Sequence, residues 1–332
     1  MKKIVSRFVP VFVVIAMLTF SALPALAQDG ADPLCNGLSD ADCQLMLAGQ
    51  ASMEGVTSFA APSYSIGFML NDGTDDMAFS AAGSGEFMLP VDGDMTSLMI
   101  HLFIDEASIS DSGSSESGSA EVIVVDSMAY IKYEGEWYGD TLTEEDLGDF
   151  SDLGTIIDPN MLSGGGMGDM GVDMTGVVST ARGADQDMMG QSMAVFTTTV
   201  DINQLIVVLL SSPMVGGLLG EAMGGDAGME MSPEDLQMLG AFLTPMIAGT
   251  SLTFEQWVGV DDQMMHKIAV DAVLNLDMSM FDPESTPITG ELHFASEITS
   301  VNESFSVTPP ESYRSADELD LDLEELGATL DM

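Results

Sequence analysis

The sequence predicts an α+β protein built on an antiparallel sheet, and three observations lead there. Two groups of segments alternate apolar and polar residues with a period of two, as strands with one buried face do. A stretch with helix-start signals, lacking that alternation, separates the two groups. Apolar residues make up 46% of the chain. That is enough to build a core despite a formal net charge of −47, and it excludes the disorder of acidic chains that are poor in apolar residues.

In chain order, a loop leads to a helix from about Ser39, with Ser39 and Asp40 as caps and Leu45, Met46, Met53 and Val56 at helical spacing. Tyr64, Ile66, Phe68 and Leu70 then alternate with Ser65 and Gly67, and Asn71-Asp72-Gly73 marks a turn. A second strand covers 76–89, and a third carries Leu98, Ile100, Leu102 and Ile104 on one face. Residues 110–119 read as a polar loop. Glu121–Val125 and Met128–Tyr133 flank Asp126-Ser127 as a hairpin, followed by Trp137-Tyr138. Short helical stretches are expected over 141–192, with a Gly-, Met- and Asp-rich run from Ser163 to Thr175.

Met193–Val200 reads as a strand entering a helix near Asp201. A second Gly/Met-rich run covers Val215–Met231. Ser232-Pro233-Glu234-Asp235 then opens a helix, with a cap, a proline in the first turn and acids at the positive dipole end. Three more strands follow: Leu252–Val260, His266–Leu276 and Ile288–Ile298. Pro309-Pro310 closes the ordered part, and the tail from Ser315 is a surface helix or disordered.

The first residues predict export. Lys2, Lys3 and Arg7 precede an apolar run from Phe8 to Leu23, and Ala25-Leu26-Ala27 has the small-x-small form of a cleavage site before Gln28. The run is shorter than the roughly 20 residues of a spanning helix. Cys35 follows Asp32-Pro33-Leu34, a poor lipid-attachment sequence, so the mature chain is expected to be soluble, secreted or extracytoplasmic, rather than lipid-anchored. Two cysteines in an exported chain, Cys35 and Cys43, permit one disulfide clamping the N-terminal segment. The expected division is a signal peptide at 1–27, a loop and helix at 28–60, a sheet domain at 61–310 and an acidic tail at 311–332.

Losing the leader removes three of seven basic residues and takes the net charge to about −50. Charged residues are only 18% of the chain, so missing bases matter as much as added acids. Such a surface repels nucleic acid and attracts cations.

Three phrases resemble the bacterial envelope lipid-carrier superfamily of LolA, LppX and LprG. They are Met128–Tyr138, a strand leading to a tryptophan; Gly190–Asp201, a strand entering a helix; and Trp257–Ile268, a strand, an Asp-rich turn and the next strand. The resemblance covers 40–310 and implies a curved antiparallel half-barrel, with helices packed over its concave face and an apolar cavity between. Members hold the acyl chains of lipids, glycolipids or lipoproteins, and the family has no catalytic residues to carry over. The missing lipid-attachment cysteine departs from the LppX and LprG branch.

Motifs for chemistry are weak. His101, His266 and His293 fall within strands and share no ligand spacing. Gly190-Gln191-Ser192-Met193-Ala194 lacks the last glycine of a nucleophile elbow and precedes a strand. The Gly-rich Ser163–Gly168 has no Lys-Ser/Thr after it, so it is no phosphate loop. Thioethers among the 28 methionines would suit Cu(I). Methionine also fills irregular apolar space, and core or cavity lining is the reading taken. Acid groups such as Asp72/Asp75/Asp76 and Asp261-Asp262 lack EF-hand spacing and read as solvated turns.

The sequence therefore points to a non-enzymatic protein, without cofactor, that holds lipid acyl chains between sheet and helices. The membrane itself or an envelope protein is the further partner expected. Strand parity selects Phe68, Ile100, Leu102, Ile268, Val270, Leu274, Leu292 and Phe294 as lining, or equally as packed core. The alternative is an acidic surface or structural protein with a filled core that binds cations or a protein partner.

Overall fold

A computed structural model describes residues 33–53, 55–73, 76–90, 97–111, 114–133, 135–142, 176–211, 233–280, 285–316 and 318–319. The expected leader, both Gly/Met-rich runs, and the acidic tail apart from 311–316 and 318–319 lie outside these residues.

The molecule is α+β, an open, curved half-barrel of 13 strands with helices over its inner face. The strands are β1 (Ser58–Asn71), β2 (Asp76–Met88), β3 (Met99–Asp111), β4 (Ser114–Val125), β5 (Met128–Tyr133) and β6 (Glu136–Thr141). There follow β7 (Val178–Arg182), β8 (Gln186–Met188), β9 (Gln191–Val200), β10 (Ser251–Gly259), β11 (Met265–Leu276), β12 (Ile288–Glu297) and β13 (Arg314–Ser315). Their order is β13-β6-β5-β4-β3-β2-β1-β12-β11-β10-β9-β7, with β8 beside β9. The two strand groups meet where β1 pairs antiparallel with β12. Bulges at Ala61/Tyr64, Ala82/Gly83, Ile104/Ala107 and Trp257/Val258 bend the strands and increase their twist. At the second bulge a side chain on Gly83 would overlap the Phe103 carbonyl, so close approach requires glycine there. Asp126 and Ser127 both take positive φ, 54° and 59°, the geometry of a two-residue hairpin turn.

Helix α1 (Asp40–Ala51) is capped by Ser39, whose hydroxyl accepts the Asp42 N–H at 3.3 Å. Its Met46 is fully buried against Ala194, Phe196 and Val258. A side chain at Gly49 would strike the Val258 γ-carbons, so this glycine sets how near the helix lies to the sheet. Helix α2 (Ile202–Ser211) starts from Asp201, whose carboxylate accepts the Gln204 N–H at 3.0 Å. Leu205 and Val208 pack beside Val178, Val200, Leu252 and Phe254. Helix α3 (Pro233–Met246) packs on α2. Among the described residues no helix is long and apolar enough to cross a membrane.

Cys35 and Cys43 are disulfide-bonded, with Cα atoms 5.2 Å apart. The bond ties the segment before α1 to the helix and lays Asn36 along edge strand β7. Asn36 accepts the Thr180 N–H at 2.8 Å and donates from Nδ2 to the Val178 carbonyl at 3.0 Å. Arg182 bonds Asp42 at 2.8 Å beside it. The clamp thus covers an edge that could otherwise pair with another chain.

Two expectations need correction. The supposed loop at 110–119 is mostly strand, since β3 runs to Asp111 and β4 begins at Ser114. Its residues are small or acidic on both faces, so no apolar alternation announces it, and order comes from pairing such as Ala107↔Gly118 and Ser108↔Ser117. Within 141–192 the described residues hold strands β7 and β8, while 143–175, the greater part of the span where short helical stretches are expected, lies outside the described residues. Beyond Pro310, Arg314–Ser315 pair parallel with Tyr138–Gly139, and Leu319 is buried near Tyr138.

Candidate ligand-binding face

Register fixes which side chains share a face, because residues directly opposite in adjacent strands point the same way. One row crosses eight strands without a polar residue: Val178, Val200, Leu252, Ala272, Leu292, Phe68, Phe79 and Ile109. The next row toward the opposite end is Thr180, Thr198, Phe254, Val270, Phe294, Ile66, Ala81 and Ala107. Both rows lie on the inner face, the one that α1 and α2 cover.

All eight lining candidates fall on this face, and the structure divides them in two. Ile100, Leu102, Ile268 and Phe294 are buried in the main core at what is here the packed end. Phe68, Val270 and Leu292 are half-buried, and Leu274 is 43% exposed, toward the open end. The open end adds Leu70, Phe79, Ile109, Leu252, Phe254 and Ala272, all half-buried. Sequence reasoning missed these six as lining. Parity within β1 and β2 would have found Leu70 and Phe79, but assigning β10 to a face required its register with β9 and β11.

Polar groups on the inner face satisfy one another. The Thr180 and Thr198 hydroxyls lie 3.0 Å apart, and Gln50 donates to buried Gln256 at 3.4 Å. Tyr64 donates to the Phe103 carbonyl at 3.2 Å. Burial, with Asp105 adding repulsion, pushes its phenol well above the usual tyrosine range, so it stays neutral.

The histidines sit elsewhere. His101 pairs with Glu121 at 2.9 Å and His293 with Asp271 at 2.7 Å, both on the outer face. His266 meets Asp262 at 2.9 Å near the β10–β11 turn. Burial would raise the Glu121 pKa, but hydrogen bonds and charge from His101 and Lys132 outweigh it and hold the carboxyl below its ordinary value. Among the described residues no group of three or more His, Cys, Asp or Glu is placed to hold a metal. What the geometry offers is apolar contact area along one end of a curved sheet.

No family model and no curated protein sequence matches this chain. Some solved structures align with it at low identity and low TM-score. The lipoprotein LppX of Mycobacterium tuberculosis aligns over 81% of this chain and 100% of its own, at 11% identity and a TM-score of 0.35. LprF of Mycobacterium bovis aligns over 82% and 99%, also at 11% and 0.35. A domain from Vibrio parahaemolyticus named for outer-membrane lipoprotein sorting covers 79% and 93%, at 7% identity and 0.19. At these identities and scores no residue role is carried across.

Proposed function

We propose that this chain is an extracytoplasmic binding protein that holds the acyl chains of a lipid against the open half of its inner face. The observation that carries the reading is the unbroken apolar row from Val178 to Ile109, six of whose eight members remain half-buried. Each methylene moved from water onto such a surface contributes roughly 0.8 kcal/mol, so one long chain binds without polar contacts. The Cys35–Cys43 bond supports an oxidising compartment, as export with cleavage after Ala27 requires. N-terminal sequencing of secreted protein should then begin at Gln28.

The test is uptake of a fluorescent fatty-acyl probe. Val270→Phe, which adds bulk at the centre of the face without a charge, should abolish uptake while leaving the melting transition in place. Wild-type protein that takes up no probe, and extracts no lipid from vesicles, would instead be a packed acidic surface protein.

A further inference from the structure

Beyond the three basic residues of the leader, the fixed cations of this chain are Lys132, Arg182, Lys267 and Arg314. The structure places all four away from the open end. Lys132 lies on the outer face, 3.0 Å from Glu121 and over the Trp137 ring. Lys267, on the same face, lies over the Trp257 ring at 4.6 Å. Arg182 is bound to Asp42 and Asp185 at the packed end. Arg314, in the edge strand β13, bonds Glu318 and the Tyr138 hydroxyl of β6. The histidines, as described above, face outward or sit at the β10–β11 turn.

Carboxylates border the open end. Asp72 and Asp76 flank the β1–β2 turn, Asp201 follows β9 and Asp277 follows β11. The Ser279 hydroxyl and N–H hold the Asp277 carboxyl below its ordinary pKa, so it is ionised at neutral pH. Asp201 already occupies the positive end of α2. Residues 143–175 and 212–232 contain no Lys, Arg or His, so these long connections bring no further cation.

Resting on the acyl-chain reading, we propose that the ligand's head group carries no net negative charge, as in an acylglycerol, and that phosphate- or carboxylate-headed lipids are selected against. An anionic head about 4 Å from one of these carboxylates loses about fivefold in affinity in water, and up to about thirtyfold beside two. Salt screens that repulsion.

The experiment uses the secreted full-length protein loaded with a fluorescent acylglycerol, displaced by dioleoylglycerol or by dioleoylphosphatidylglycerol. At low ionic strength the uncharged lipid should displace the probe at about tenfold lower concentration, with the gap closing in concentrated salt. The double variant Asp72→Lys with Asp277→Lys should narrow the gap at low salt. Equal or stronger displacement by the anionic lipid at low salt overturns head-group selection and leaves acyl binding standing. Failure to load any acyl probe removes both readings.

Discussion

The two ends of the inner face are made by the same strands with the same alternation, yet one is fully buried and the other is in large part only half-buried. At the packed end Phe59 and Phe87 stack with ring centroids 4.7 Å apart, and Ile100, Met265 and Ile298 are each 1% exposed. Met53 and Val56, from the turns after α1, come down on this cluster. At the open end Phe68, Phe79 and Leu292 share a row, and all three stay half-buried. Alternation decides which face a side chain joins. What stands opposite decides whether it is buried.

Truncation should separate the ends most sharply. Phe59→Ala is expected to cost about 3–5 kcal/mol, since a close-packed surround collapses little around the lost ring. Phe79→Ala should cost less, about 2 kcal/mol, because part of that surface is never removed from water. Urea denaturation measures both, and equal losses would erase the distinction between the ends.

The clamp at the packed end comes next. Replacing Cys35 and Cys43 together by serine should cost about 2–3 kcal/mol in the chain-entropy picture. It should also release Asn36 from β7, so concentration-dependent association should appear in size-exclusion chromatography. A double variant that melts like the wild type and stays monomeric would show that α1 holds its place without the bond.

A smaller effect concerns acid. Because the folded pKa of Glu121 is depressed, its stabilisation is complete above the ordinary carboxylate range and is lost as pH falls through the folded value. Glu121→Gln should therefore shallow the decline in melting temperature below about pH 4. An unchanged acid limb would mean that the His101–Glu121–Lys132 group contributes nothing there. The smallest expected effect is on the outer face. Lys267→Met removes the cation over Trp257 and should cost about 0.5–1 kcal/mol, read as a small drop in melting temperature.

The sequence alone was enough to mark strands β1, β2, β5, β9, β10, β11 and β12 and helices α1, α2 and α3, because period and capping are local. Tyr64-Ile66-Phe68 declares its face without any partner, and Ser232-Pro233-Glu234 declares a helix start. Strand parity likewise put all eight lining candidates on one face. Tertiary structure decided the rest. Residues 107–111 and 114–118 are strand only because their neighbours pair with them, and Arg314–Ser315 add to the sheet only because β6 leaves an edge open. It also decided that Ile100 and Ile268 are core while Leu292 is half-buried and Leu274 exposed. The physical reason is that burial depends on atoms distant in the chain, such as Met53 on one end and α2 on the other, whereas alternation records only the direction in which each side chain leaves its own strand.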